Sequence, residues 1–455
     1  MNTGDHPTST ARLAAQAASL SFSDLSPAVR TVAKQCLLDA VGVGLAGAGT
    51  EAARIAAGVA LEDAPSGPCS VIGSTSTTSA SGAALANGTA IHALDYDDMS
   101  VPLCGHPTAP LLPALLALGE LAGASGAQLL SAFVAGYEAE CRVGASVDPD
   151  HYARGFHATA TVGTIGAAVG SAHLLGLDAA QMETAIGIGV TQAAGLKSMF
   201  GTMCKPLHAG RAAASGILAA RLARDGFTSA SDALACAQGF AAAEAGALDT
   251  EALEASFGSP WHVLDNLFKF HAACYFTHGA IEAMLDLARE GVHPAEVGQI
   301  ELVVPRQHLS VCNIEGPVTG LEGKFSLRFA TAVALASGIA DESCFTDGRV
   351  AEAPLQELQR RIEVRPDDSL GLYDTVVLVE QGSGTRRIAK NTARPAWRID
   401  PSEQSAALLT KFHSLVDPLL GSGRTDELAE MLLGLEAVRD VRELRGLLAP
   451  SLVVA

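Results

Sequence analysis

Apolar side chains recur with a helical period along the first half of this chain of 455 residues. Ser26 and Pro27 form a helix start, a capping hydroxyl followed by proline at the first helical position. The apolar residues that follow lie on one helical face: Val29, Val32, Ala33, Cys36, Leu37 and Ala40. The same period predicts further helices over 78–93, 107–124, 126–145, 158–175, 178–195 and 207–225.

The pattern changes after about residue 260, where β-branched residues alternate or cluster in short runs. These runs predict strands at 299–305, 361–365 and 374–380. Helical patterns lie at 278–290, 324–337, 353–360 and from 402 to about 447. We therefore predict a mainly α protein with a smaller, lid-like α+β domain over 265–398. The rest forms a large all-helical domain over 1–264, rejoined by 399–455.

Composition narrows the class of protein and its partners. A hydrophobic content of 48% with 17% charged residues is typical of a folded globular protein, and the length favours two domains. The net charge of −19 argues against nucleic acid or an anionic membrane as partner. No signal peptide or membrane-spanning stretch is predicted, and the nine cysteines form no CxxC pair. We expect a cytoplasmic protein with reduced thiols.

Gly42, Gly44 and Gly47 match the GxGxxG pattern of dinucleotide-binding proteins. That pattern binds a pyrophosphate only in a turn from a strand to a helix. The residues before it have a helical period, so we expect these glycines at a helix end and predict no cofactor.

Charged and titratable residues collect in four short segments. His92, Asp95, Asp97 and Asp98 precede a loop that ends at His106, a set that could bind a metal or serve in acid–base chemistry. We favour acid–base chemistry and predict no metal. The other segments contain His157, then Lys205 and His208, then Lys269 and Cys274. His157 lies at a predicted helix start, where the helix dipole lowers the pKa of an imidazole.

These segments resemble, in order, the signatures of the MmgE/PrpD family. The resemblance rests on six runs: 92–98, 105–107, 155–157, 205–210, 269–274 and 319–326. It covers nearly the whole chain and implies a large helical domain with a smaller α+β domain, usually in a homodimer. The members include 2-methylcitrate dehydratase, cis-aconitate decarboxylase and iminodisuccinate epimerase, all of which act on small polycarboxylates.

The resemblance also implies site residues. Asp95, His106, His157, Lys205 and Lys269 match the polar active-site positions of the decarboxylases. We assign His157 as general base, His106 as acid or second base, Asp95 as the group that orients a histidine, and Cys274 as a further catalytic candidate. Lys205, Lys269 and His208 are assigned to substrate binding.

Three positions depart from the decarboxylases of the family. Met99 replaces a threonine, Cys274 a histidine and Cys312 a tyrosine. These departures argue against cis-aconitate decarboxylation. From the broad chemistry of the family we expect a lyase of the dehydratase type that abstracts a proton next to a carboxylate of a small di- or tricarboxylic acid. The alternatives are an epimerase of the iminodisuccinate type, a cis-aconitate-type decarboxylase and a catalytically silent relative that binds carboxylates.

Overall fold

The computed structural model describes residues 7–382, 384–393 and 401–450. Its N-terminal part contains a short hairpin of β1 (Cys69–Ser70) and β2 (Thr77–Thr78). The helices of this part are α1 (Ser9–Ser19), α2 (Pro27–Gly47), α3 (Glu51–Asp63), α4 (Ala80–Ala93), α5 (Thr108–Ala122), α6 (Gly126–Val147), α7 (Asp150–Ala153), α8 (Ala158–Leu174), α9 (Ala179–Val190), α10 (Cys204–Arg224), α11 (Phe240–Glu244) and α12 (Thr250–Glu254).

Small residues allow α4, α8 and α10 to pack closely. A Cβ added to Gly88 of α4 would lie 2.6 Å from the Cα atom of Gly210 of α10. A Cβ added to Gly216 of α10 would lie 2.5 Å from the Cβ atom of Ala167 of α8. Because the backbones approach this closely, the end of α4 and the starts of α8 and α10 lie beside one another.

The α+β part follows along the chain. Its helices are α13 (His278–Arg289), α14 (Arg306–Leu309), α15 (Gly320–Gly323), α16 (Leu327–Ser337), α17 (Asp347–Val350) and α18 (Ala353–Gln359). Its strands are β3 (Val297–Val304), β4 (Ile362–Pro366), β5 (Asp374–Gln381) and β6 (Gly384–Asn391). The sheet order is β4-β3-β5-β6, with β3 and β4 parallel and the other neighbours antiparallel. Helix α13 packs against this sheet, where Gly279 touches Thr375 of β5.

The last helices, α19 (Pro401–Leu420) and α20 (Ser422–Leu433), pack back against α2. Phe412 of α19 fills the space that a side chain at Gly42 would occupy, 2.7 Å from the added Cβ. Gly42 and Gly44 therefore lie inside α2, where they allow close packing, and only Gly47 lies at the predicted helix end. The predicted boundary between residues 398 and 399 lies outside the described residues, and the boundary at 264 stays a prediction.

The fold class, mainly α with a smaller α+β part, is confirmed. The predicted helix over 178–195 ends earlier, at Val190, and strand β6 was not predicted. β6 contains Arg386, Arg387 and Lys390, and its partly or fully exposed residues carry little of the apolar alternation that identifies a strand. No single described helix is long and apolar enough to cross a membrane; only the pair α2 and α3, bent by 89°, has the length and composition together.

Candidate active site

A cavity of about 50 Å³ lies where α4, α8 and α10 meet the segment before α13. Its charged and titratable lining residues include Asp95, His106, His157, Lys205 and Cys274, and Cys104, Tyr152, Tyr275 and Tyr373 add a thiol and three hydroxyls. Its apolar lining residues include Met99, Phe200, Phe276, Val311 and Phe325. Since apolar walls exclude water, charges at this cavity interact more strongly than they would at the surface.

Asp95 lies at the centre of the charged wall. Its Oδ1 atom accepts hydrogen bonds from Nζ of Lys205 and Nζ of Lys269, both at 2.9 Å, and lies 3.4 Å from Nε2 of His106. Lys269 also donates to the Asp95 backbone carbonyl at 3.0 Å, and Asp95 adopts a left-handed backbone with φ of 50°. Burial alone would raise the pKa of Asp95, but the two ammonium groups outweigh it and hold the pKa well below its usual range.

His92 and Asp97 form hydrogen bonds that hold Lys205 in this cluster. Nζ of Lys205 donates to Nε2 of His92 at 2.8 Å, so the His92 proton lies on Nδ1, which donates to Asp97 at 2.9 Å. Burial lowers the pKa of His92 to about 3, which keeps the ring neutral. Nδ1 of His106 lies 3.1 Å from the same carboxylate. The two histidines and Asp97 therefore fix the position of Lys205 and of the cavity wall.

His157 occupies the N-cap position of α8, and its side chain makes no capping hydrogen bond. Its Nδ1 lies 3.0 Å from Nδ1 of His208, and its ring stacks on His92 with centroids 5.8 Å apart. Phe200 meets the ring edge-on at 4.9 Å. Burial and then the charge of Lys205 lower the pKa of His157 well below its usual range, which favours the neutral, basic form. With Nδ1 engaged by His208, Nε2 is the nitrogen available to a substrate.

Cys274 and Cys312 form a thiol pair at the cavity. A hydrogen bond from Cys312 and the charge of Lys269 lower the pKa of the Cys274 thiol against the opposing effect of burial. Burial raises the pKa of Cys312 well above its usual range. Cys274 is therefore the thiol of the pair that ionises more readily.

The structure brings together Asp95, His106, His157, Lys205 and Cys274 as cavity-lining residues, with Lys269 beneath Asp95. His208, predicted among the substrate-binding residues, lies behind His157 and is not among the cavity-lining residues.

Lys324 was not among the residues that the sequence assigned to the site. This lysine is buried, and its ammonium donates to the carbonyls of Leu94 and Ala272, both at 2.7 Å. Burial lowers the pKa of Lys324 to about 7. The signal that could have indicated it is its place in the 319–326 run that contributes to the family resemblance.

The ligand atoms of His92, Asp95, Asp97 and His106 lie within 4.8 Å of one another, close enough for a metal site. The ammonium of Lys205 already contacts two of these side chains, and Lys269 contacts the same Asp95 oxygen. Those lysines balance the carboxylate charge that a cation would otherwise compensate.

Comparison with known proteins gives matches over most of the chain. The MmgE/PrpD N-terminal domain matches residues 11–252, and the MmgE/PrpD C-terminal domain matches residues 271–437. The chain is 26% identical to cis-aconitate decarboxylase of Aspergillus terreus, over 95% of this chain and 94% of the relative. It is 28% identical to cis-aconitate decarboxylase of Homo sapiens, over 94% of this chain and 92% of that relative. The chain therefore belongs to the MmgE/PrpD family.

Proposed function

We propose that the protein is a lyase that acts on a small di- or tricarboxylic acid by proton transfer at the carbon next to a carboxylate. The observation that carries this proposal is the juxtaposition of a cavity-lining ammonium group, a second ammonium group buried beneath Asp95, and a neutral imidazole. Lys205 and Lys269 share a single oxygen of Asp95, and His157 borders the same cavity. The site contains anion-binding and proton-accepting groups together.

Lys205 would bind the substrate and stabilise the charge that forms during the reaction, while Lys269 holds Asp95. A carbon next to a carboxylate is a weak acid, so the enzyme must stabilise the negative charge that spreads into that carboxylate. Lys205 lines the cavity, and Asp95 can keep its contact with Lys269 while Lys205 turns to a bound carboxylate. The apolar wall around them strengthens this attraction by excluding water.

His157 would remove the proton. Its ring is neutral because burial and Lys205 lower its pKa, so Nε2 has a free electron pair at neutral pH. His106 would act as the acid that protonates a leaving group, since it borders the same cavity and lies between Asp95 and Asp97. No cofactor is needed for these steps.

The relatives narrow the class of reaction. The curated relatives are named as cis-aconitate decarboxylases or, in Aspergillus oryzae, a cis-aconitate decarboxylase-like protein. Decarboxylation is a lyase reaction, in which a bond to carbon breaks without hydrolysis or oxidation. Cys274, which lines the cavity, and Cys312, which contacts Cys274, occupy positions where the resemblance implies histidine and tyrosine. We favour dehydration over decarboxylation on that difference.

The test is a turnover assay with cis-aconitate, citrate and 2-methylcitrate in heavy water. Growth of an alkene absorbance from a hydroxy acid means dehydration, and release of carbon dioxide means decarboxylation. His157→Ala should reduce kcat by at least about 100-fold, the usual contribution of a general base. Near-normal turnover by this variant would remove His157 from the mechanism. Thermal stabilisation by these acids without turnover by the wild type would indicate a carboxylate-binding protein instead.

The second candidate is an epimerase, and Cys274 is the observation that favours it. An epimerase needs two bases, and Cys274 has a lowered pKa and borders the cavity together with His157. In heavy water this activity would give deuterium uptake with inverted configuration and no new alkene. Cys274→Ser, which keeps the size of the side chain but not its acidity, should then stop inversion while His157 still exchanges one proton. Unchanged inversion by Cys274→Ser would rule out the thiol as second base.

A further inference from the structure

The imidazoles of His157 and His208 form a pair that begins at the cavity and leads away from it. Their Nδ1 atoms lie 3.0 Å apart, and their ring centroids are separated by 5.2 Å. His157 is buried and lines the cavity, whereas His208 is only partly buried. Within residues 7–382, neither ring has a hydrogen bond to its Nε2 atom. In each histidine, Nδ1 therefore belongs to the pair and Nε2 is free of hydrogen bonds to the residues of that range. The free nitrogen of His157 is the one available on the cavity side.

The backbone fixes this pair. His157 donates its N–H to the carbonyl of Gly195 at 3.0 Å, and Lys197 donates to the carbonyl of Gly155 at 2.8 Å. A Cβ added to Gly195 would lie 3.4 Å from Nδ1 of His208 and 2.3 Å from the Cβ atom of Ala160. The loop before α10 therefore lies against both rings, and a larger residue at Gly195 would displace them.

We propose that His208 is a positioning residue that holds the tautomer of His157 and carries its proton to solvent. This inference rests on the proposed function, in which Nε2 of His157 accepts the substrate proton. Before the reaction, the proton of His157 is on Nδ1 and is donated to Nδ1 of His208, whose own proton is on Nε2. This arrangement leaves the electron pair on Nε2 of His157 directed to the substrate.

The proton count of the relay balances. The substrate C–H bond breaks, its electron pair stays on the substrate, and the proton bonds to Nε2 of His157. The Nδ1 proton of His157 moves to Nδ1 of His208, and the Nε2 proton of His208 passes to water. The starting state returns when water gives a proton back to Nε2 of His208, the Nδ1 proton moves back to His157, and the Nε2 proton of His157 leaves into the emptied cavity.

Electrostatics explains why a relay is useful here. A proton that stayed on His157 would add a positive charge beside the buried ammonium of Lys205, which already lowers the pKa of His157 together with burial. Transfer to His208 moves that charge to a ring that is more exposed. Burial and Lys205 also lower the pKa of His208 to about 4, so a proton on this ring passes readily to water at neutral pH.

The matched variants are His208→Gln, His208→Phe and, as a control, His413→Gln, a half-buried histidine of α19 that is absent from the cavity lining. Glutamine at 208 can still accept a hydrogen bond from Nδ1–H of His157 but cannot carry a proton to water. Phenylalanine can do neither. With the acid that the wild type turns over, His208→Gln should lower kcat about tenfold or more with KM within about twofold, and His208→Phe should lower it further. His413→Gln should match the wild type. A His208→Gln enzyme with wild-type kcat would overturn the relay.

A second measurement needs no substrate. In protein labelled with ¹⁵N-histidine, the wild type should show coupling between Nδ1 of His157 and Nδ1 of His208 through the shared proton. Exchange of the His157 ring proton with water should be about tenfold or more slower in His208→Gln than in the wild type. Absence of the coupling, or equal exchange rates, would overturn the inference. Slowed exchange together with no turnover of any acid would support the relay and overturn the proposed function.

Discussion

Two buried lysine–aspartate clusters meet at Lys269. The cavity cluster consists of Asp95 with Lys205 and Lys269, and the core cluster consists of Asp39 with Lys411. Nζ of Lys411 donates to Asp39 at 2.7 Å and to the backbone carbonyl of Lys269 at 2.8 Å, which joins the clusters. One carboxylate is therefore contacted by two ammonium groups, and the other by one.

The second ammonium group gives Asp95 a lower pKa than Asp39. Burial raises the pKa of Asp39 to about 6 even though Lys411 opposes it, whereas two lysines hold the pKa of Asp95 well below its usual range. In the core cluster each charge has a single counter-charge, so the pair serves as a structural tie between α2 and α19. In the cavity cluster one lysine can contact a substrate without leaving Asp95 unpaired. The difference separates a stabilising ion pair from an anion-binding site.

Lys411→Met should have the largest effect of the substitutions considered, and this effect is on stability. The substitution leaves Asp39 buried without a counter-charge and should lower the free energy of unfolding by about 3–5 kcal/mol. Urea unfolding at pH 8 measures this, where Asp39 is ionised. The double variant Asp39→Asn with Lys411→Met should recover part of the loss, and a single variant as stable as the wild type would contradict the comparison.

Lys205→Met is the same change made in the cavity cluster. Because Asp95 keeps Lys269, the free energy of unfolding should fall by less than about 2 kcal/mol. The value of kcat/KM should fall about 100- to 1000-fold, which corresponds to about 2.7–4 kcal/mol of lost transition-state stabilisation. Steady-state kinetics and urea unfolding on one preparation give both numbers. A loss of stability equal to that of Lys411→Met would show that the clusters do not differ as described.

Lys324→Met should have the smallest effect, a change in how the free energy of unfolding depends on pH. The pKa of Lys324 is lowered by burial to about 7, so between pH 7 and about 10 the unfolded chain binds more protons than the folded protein. Its contribution to stability should therefore rise with pH across this window. Lys324→Met should remove at least about 1 kcal/mol of that rise. Unfolding at pH 7 and pH 10 measures the slope, and equal slopes in both proteins would contradict the assignment.

The sequence predicted the cavity cluster better than the core cluster. Asp95, His157 and Lys205 lie at helix ends in short polar runs, where a pattern of titratable residues is visible locally. Asp39 and Lys411 lie within amphipathic helices, and only their tertiary packing brings α2 and α19 together. Lys324 was missed for the same reason, since the carbonyls that bind its ammonium belong to the distant residues Leu94 and Ala272.

The secondary-structure predictions also succeeded where the signal was local and failed where it depended on tertiary packing. The small residues of α4, α8 and α10 combine with a clear apolar period, so these helices were predicted within a few residues. Strand β6 pairs with β5 over its whole length, but its polar and basic residues carry no local strand signal. Its position depends on the free edge of β5, which is a property of the assembled sheet.

The left-handed backbone of Asp95 limits how this site can be redesigned. Asparagine, aspartate and glycine adopt such a conformation most readily, while branched or bulky residues do not. An engineer who seeks another substrate can therefore vary the apolar wall, but has few choices at this one position. Asparagine would remove the charge while keeping the turn, so electrostatics and geometry can be separated there by a single substitution.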